Sequence, residues 1–338
     1  MSPLVRRSPK PWGLHNLDDT HILGVPQGSI LGPLLFAMYV SPIGQVVDTF
    51  GIQHHQYADD LMLHCALTAS QLDDLWPLVH CSDTVSLWFH QNALLLNPSK
   101  TEAVLFATRE RLVGVDFNHT IKVASADIQF SEAVKLLGVT LDTSLSFDQH
   151  ITNVVHACNF HLRSLQHLRL SLIYESAKLI ATAIIVIRID YCDSLLYGTT
   201  KRNLNRLQKV QNMTTARFVH LASFQTSARA LWQQLHWLPI RQRITYKLAT
   251  LTFKAKYCRT PLYLHEQLRD HQVVRTLRST TAPLFYWPFV STVFASRAFY
   301  YSAPQVWNCL GTSTRSANTF SSFRRCLKSE LFAAAYDT

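Results

Sequence analysis

Gln56-Tyr57-Ala58-Asp59-Asp60-Leu61 sets two adjacent carboxylates after an aromatic and a small residue, between the apolar runs 30–40 and 61–63. Aspartate is depleted from strands and favours turns, so the pair fits a tight turn joining two short strands, with both carboxylates at the tip of a hairpin. Carboxylate oxygens are the ligands Mg²⁺ prefers; it usually takes one or two from protein and completes its shell with water and substrate phosphates. The pair is therefore a candidate phosphoryl-transfer site. A solvated Asp-Asp turn also accounts for the dipeptide when it is read alone.

Upstream, Gly24-Val25-Pro26-Gln27-Gly28-Ser29 runs into the apolar segment 34–40, which reads as a helix that begins near a Ser29 cap and stops before Pro42. A glycine-containing loop at a helix start offers backbone N–H groups, and here Gln27, to a phosphate or a base. Downstream, residues 68–92 carry Leu72, Leu75, Val79, Val85, Leu87 and Trp88 at helical spacing, with Pro77 at a break or first turn. Residues 94–106 read as strand, turn, strand, the turn projecting Lys100; 107–131 reads as a surface excursion, and 134–141 as a short strand containing Gly138. Beyond residue 150 the pattern is helical: one amphipathic stretch at 151–168, a fully buried helix over 179–189, and a third helix over 202–221 with Lys201, Arg202, Arg206, Lys209 and Arg217 facing out. The aromatics of 226–338 serve either as core or as platforms on which bases stack.

The chain has 338 residues, 48% of them hydrophobic, enough for more than one domain. No signal peptide is evident, and the longest apolar segment, 179–187, ends at Arg188 and Asp190, short of the ~20 residues of a membrane span. These features lead to the expectation of a soluble intracellular protein of nucleus or cytoplasm, neither secreted nor in a membrane. Seven scattered cysteines without a Cys-x-x-Cys pair suggest neither a disulfide framework nor a zinc site, and the rings of the adjacent pair His54-His55 would point to opposite faces of a strand. Charge is unevenly placed. Residues 1–200 hold 12 Lys/Arg and 18 Asp/Glu, a net of −6, whereas 201–338 hold 20 and 4, a net of +16. A region of such excess positive charge fits a polyanionic partner, nucleic acid first, with ordinary basic surface as the alternative.

Taken together, the segment 24–36 followed by Tyr57-Ala58-Asp59-Asp60 resembles the second and third core motifs of reverse transcriptases of non-LTR (LINE) retrotransposons. Leu96-Asn97-Pro98-Ser99-Lys100-Thr101-Glu102 is similar to the next motif of that family, and Lys135-Leu136-Leu137-Gly138-Val139 resembles its primer-grip strand pair. Segments 188–192, 235–240, 276–279 and 303–308 resemble the thumb and C-terminal region of the CR1/L2-type branch. The resemblance implies an α+β fold: an irregular leader (1–20), a partial right-hand palm with an antiparallel sheet and helices (21–145), a helical thumb (146–225) and a basic, mainly helical C-terminal region (226–338). It implies RNA-directed DNA polymerase chemistry on an RNA template and a DNA primer, with two Mg²⁺ ions on Asp59 and Asp60. Gln27, Gly28, Tyr57 and Lys100 would contact substrate, and Leu137 and Gly138 would hold the primer end.

One departure decides the expectation about activity. In the family a third carboxylate comes from a strand well upstream of the glycine loop, and only 23 residues precede Gly24 here, with Asp18 and Asp19 as their only acids. Asp48 lies in a segment between elements and is a poor substitute. The expectation is an N-terminally truncated reverse transcriptase, inactive alone, with a non-catalytic nucleic-acid-binding protein using 201–338, or a translated relic without function, as the alternatives.

Overall fold

The computed structural model describes residues 2–7, 9–11, 29–68, 75–113, 120–123, 126–223, 225–271 and 284–336. Gln27, Gly28, Asp18, Asp19, Leu72 and the 276–279 motif lie outside them. The chain divides into two compact units, Met1–Leu145 and Ser146–Thr338.

The first unit is built on β1 (Ser2–Arg7), β2 (Pro9–Pro11), α1 (Gly32–Val40), α2 (Ile43–Asp48), β3 (Gln53–Tyr57), β4 (Asp60–His64), α3 (Trp76–Gln91), β5 (Leu94–Leu96) and β6 (Glu102–Phe106). It ends with α4 (Arg109–Leu112), β7 (Thr120–Val123), β8 (Ala126–Gln129), β9 (Ala133–Leu136) and β10 (Val139–Asp142). Its main sheet has the order β3-β4-β1-β6, antiparallel throughout. The interior position of β4 explains its sequence: with a strand on each side and cover on both faces, Leu61, Met62 and Leu63 are all buried, so the run is continuous rather than alternating. Leu61, Leu63 and Ala103 share a core with Val40, Ile43, Val47, Leu78, Cys81, Val85 and Phe89 from the helices.

Several expectations are corrected here. Residues read as an irregular leader include β1, an interior strand, and β2, which pairs with β5. Helix α1 starts at Gly32 with Pro33 in its first turn and no side-chain cap, so Ser29 is not its cap. The buried stripe of α3 is Leu78, Cys81, Ser82, Val85 and Phe89, and Leu87 is exposed. The expected surface excursion supplies Ile121 and Val123 to the core. Residues 134–141 are a hairpin rather than one strand: Leu136 pairs with Val139 across Leu137 and Gly138 at φ +44° and +84°, which is why glycine stands there.

The second unit comprises α5 (Asp148–Leu168), α6 (Tyr174–Ala181), α7 (Ile187–Asp190), α8 (Lys201–Met213), α9 (Ala228–Gln234), α10 (Ile240–Phe253), α11 (Leu262–His265), α12 (Phe299–Cys309), α13 (Thr312–Arg315) and α14 (Phe320–Tyr336). A π-helical segment, Thr182–Val186, joins α6 to α7. Leu179 and Ile187 are exposed on this run, so it is not the fully buried helix expected, and Met213 at the end of α8 is also exposed. No break falls at residue 225. Gln211 Nε2 of α8 donates to Leu238 O (2.9 Å), Gln208 Oε1 accepts from Ile240 N (3.0 Å), and Arg243 of α10 grips Asp190 of α7 at 2.7 Å. The motif segments 188–192, 235–240 and 303–308 are thus parts of one packed body. Trp307 lies at its centre among Phe253, Phe285 and Phe323.

The chain turns back on itself at the Asp270–Phe285 bridge, closed by His271 N→Leu284 O (3.0 Å) and Tyr286 N→Arg269 O (2.8 Å). Asn308 clamps Phe285 from α12, its Oδ1 accepting from Phe285 N (3.0 Å) and its Nδ2 donating to Phe285 O (2.8 Å).

Candidate active site

The carboxylate pair sits on the β3–β4 hairpin. Tyr57 pairs with Asp60, leaving Ala58 and Asp59 as a two-residue turn. Ala58 has φ +51°, a left-handed conformation that costs a residue with a Cβ roughly 1 kcal/mol. Gln56 Nε2 braces it by donating to Ala58 O (3.3 Å). The two acids are not equivalent. Asp59 is exposed on the turn, whereas Asp60 opens β4 and is only 8% exposed, on the sheet face opposite Leu61 and Leu63. Tyr57 is exposed beside them.

The sheet brings a cation to the same end. Arg6 of β1 stands opposite Met62 on one side and Glu102 on the other, so the hairpin tip and the turn Pro98–Lys100 before β6 share one end of the sheet. Two strand spacings, about 10 Å, separate the β4 and β6 backbones. That turn is fixed by Asn97, whose Oδ1 accepts from Ser99 N (3.2 Å) and Ser99 Oγ (2.6 Å), leaving Lys100 exposed. Leu137 and Gly138 cap a different sheet. Their hairpin is tied to β6 at its base, through Ser131 N→Ala103 O (2.8 Å) and Ala107 N→Thr143 O (3.0 Å).

The strand beside β4 carries no acid: β1 reads Ser2-Pro3-Leu4-Val5-Arg6-Arg7. Asp48 closes α2 and faces His54 Nδ1 at 3.4 Å, toward the end of β3 away from Tyr57. His54 approaches Gly44 so closely that a Cβ there would lie 2.8 Å from its Nε2. His55 instead stacks on His64 at 5.2 Å, so the two neighbouring rings do take opposite faces. Burial, with His55 and His54 nearby, holds the His64 imidazole below its ordinary pKa. Among the described residues no group of three or more His, Cys, Asp or Glu could hold a metal ion. Asp59 and Asp60 suit the protein's share of one Mg²⁺ shell; the described residues do not supply the additional carboxylate of a two-ion site.

Two groups of the second unit lay outside the reading of the sequence. Arg169 is buried and donates to Leu172 O and Val219 O (2.8 Å each) and to Phe218 O, tying the end of α5 to residues 218–219. Asp193 is 4% exposed, and burial, then the neighbouring Asp190, push its carboxyl from 3.8 up to about 7 against the pull of Lys247 and Arg243. A raised folded pKa means the native state holds this proton more tightly, so the contribution is full below pH 3.8 and is lost as pH rises through about 7. Three units correspond to about 4 kcal/mol at most. Asp193→Asn should flatten the fall in melting temperature between about pH 4 and about pH 7; identical pH profiles for the two chains would refute this account.

Residues 19–141 match the family model for reverse transcriptase (RNA-dependent DNA polymerase). This segment is a reverse transcriptase domain. The chain is 34% identical over 143 residues to the RNA-directed DNA polymerase from mobile element jockey of Drosophila melanogaster, covering 40% of this chain and 14% of that protein. It is 27% identical over 208 residues to the probable RNA-directed DNA polymerase from transposon BS of the same fly, covering 56% and 21%. A third relative, from its transposon X-element, is 30% identical over 135 residues, covering 39% and 14%. The aligned segments thus span about a seventh to a fifth of these relatives. No solved structure matches the chain. The reverse transcriptase domain, a mix of helices and small antiparallel sheets, contains the carboxylate hairpin, Lys100 and the Leu137-Gly138 turn. It does not contain β1, whose residues precede the match.

Proposed function

We propose that residues 1–338 are a reverse-transcriptase fragment that keeps the carboxylate hairpin and a nucleic-acid-binding body but does not polymerise alone. One observation carries this reading: the strand paired to the Asp60 strand is Ser2–Arg7, outside the family match and without a carboxylate. In the proposed assignment Asp59 and Asp60 hold Mg²⁺, and Lys100, at the same end of the sheet, offsets phosphate charge. Mg²⁺ supplies a lowered pKa at the attacking hydroxyl and charge neutralisation on the leaving pyrophosphate. Tyr57, Gln27 and Gly28 contact the template and the incoming nucleotide, and Leu137-Gly138 steadies the primer end.

An RNA template is what the relatives' names, RNA-directed DNA polymerase, imply, and a DNA primer is what the role assigned to Leu137-Gly138 calls for. Residues 146–225 act as the thumb on that duplex and 201–338 supply the positive charge, in the nucleus or cytoplasm where such substrates occur. Among the described residues no helix is long and apolar enough to cross a membrane. The test is a mobility shift of annealed RNA template and DNA primer. Binding should weaken on the order of 10³-fold or more between about 50 and about 200 mM salt, as release of counterions from six or more phosphate contacts requires; salt-independent or absent binding overturns the reading.

A second reading, a nucleic-acid-binding protein without catalysis, is favoured by the division of charge, −6 before residue 201 and +16 after it. It predicts the same salt dependence with no dependence on Asp59 or Asp60.

A further inference from the structure

The second unit holds a cleft of about 340 Å³ bounded by residues 196–199, α8, the first turns of α10, and Ser296, Tyr301 and Gln305. A smaller hollow of about 240 Å³ adjoins it and shares Leu204 and Arg241, so the two form one track along α8 and α10. No lining residue of either is acidic, while Lys201 and Arg241 are exposed cations. Among the described residues neither is paired with a carboxylate. The wall is preformed. Gly198, at φ +74°, lets the Arg297 stem pack where a Cβ would meet its Cγ at 3.2 Å. Tyr197 donates its hydroxyl to Gln305 Oε1 (3.1 Å). Tyr301 lines the cleft, and its ring centre lies 5.5 Å from that of the half-exposed Trp287.

Cations without acids exclude a cationic ligand, and an aromatic wall at the end of a basic track is what a nucleobase on a phosphodiester chain requires. A base inside a duplex is stacked and paired, so the ligand that can turn a base into a cavity of this size is a single strand. We propose that this cleft holds one nucleotide of a single-stranded nucleic acid, its phosphates on Lys201 and Arg241 and its base against Tyr301. The inference rests on the nucleic-acid-binding reading and adds to it a site and a strandedness.

The test titrates the full chain into a fluorescent oligo-uridine of about 12 nucleotides, and into a blunt RNA duplex of equal length, following anisotropy at several salt concentrations. Lys201→Ala/Arg241→Ala should weaken oligo-uridine binding about tenfold and lower the salt slope by about 1.4, the value for two phosphate contacts on a single strand. Arg109→Ala/Arg111→Ala, which removes equal charge from exposed positions of the first unit, should change neither to that extent. Photocrosslinking of the unsubstituted chain with 4-thiouridine decides the matter even if a variant misfolds: adducts belong on the peptides bearing Tyr197 or Tyr301. Equal losses in the two double variants, or adducts confined to other peptides, overturn the cleft and leave the nucleic-acid-binding reading standing. If neither oligo-uridine nor duplex binds the unsubstituted chain, that reading fails and the cleft with it.

Discussion

Purified residues 1–338, given an annealed RNA template and DNA primer, all four deoxynucleotides and Mg²⁺ or Mn²⁺, should leave the primer unextended. Nucleotidyl transfer of this kind works by holding charge in place: two ions, roughly 4 Å apart, clamp the attacking and leaving oxygens. The chain offers Asp59 on a turn and Asp60 at the start of β4, but the strand alongside presents the sequence Arg6-Arg7 where an acid would be needed. Each 1.36 kcal/mol withdrawn from the transition state is tenfold in rate, so a defect of only about 5 kcal/mol at one ion is enough to lose more than 10³-fold. Extension that disappears on Asp59→Ala would show the site to be complete and would sink the proposal. Background extension unaffected by that substitution would have another source.

Trp307→Ala should be the most damaging single substitution in the second unit. The indole is fully buried at 0% exposure, with ring centres of Phe323, Phe285, Tyr257 and Phe253 at 5.6, 5.7, 6.2 and 6.4 Å. Large-to-alanine changes at such positions typically cost about 3–5 kcal/mol, because the neighbours close the cavity only in part. Set against a total stability on the order of 5–15 kcal/mol, that removes much of the margin and lowers the melting temperature by on the order of 10 °C. Circular dichroism melting with limited proteolysis would follow it, cleavage appearing first within 146–338. A melting curve superimposable on that of the unsubstituted chain would show that the aromatic cluster is not the keystone of this unit.

The sequence was most legible where the physics is local. Asp59-Asp60 between apolar runs announces a hairpin, and Asn97-Pro98 announces the turn that presents Lys100, because turn chemistry depends on a few adjacent residues. It was least legible where distant segments decide. Nothing in Ser2–Arg7 alternates, and its place beside β4 comes from pairing with residues nearly sixty and a hundred positions away. Ile121 and Val123 looked peripheral in a polar stretch until the packing of β7 against α3 made them core. Apolar runs misled in the other direction: Leu34, Leu35 and Met38 of α1, and Leu179 and Ile187 of the second unit, are exposed despite their hydropathy. The motifs at 188–192, 235–240 and 303–308 could be aligned with a family but not interpreted, since Asp190, Leu238 and Gln305 acquire their roles only by meeting Arg243, Gln211 and Tyr197. Asp193 carried no signal at all, because its shifted proton affinity depends on burial.

The Asn308 clamp on Phe285 also bears on how freely this chain can change its length. With Asp270 bridged to Phe285 and an amide side chain holding the bridge from behind, the two ends of the intervening segment are pinned independently of what lies between them. Closure entropy grows only slowly with length, each doubling adding about 0.6 kcal/mol, so a change in the number of residues between Asp270 and Phe285 should leave the packed body around Trp307 in place.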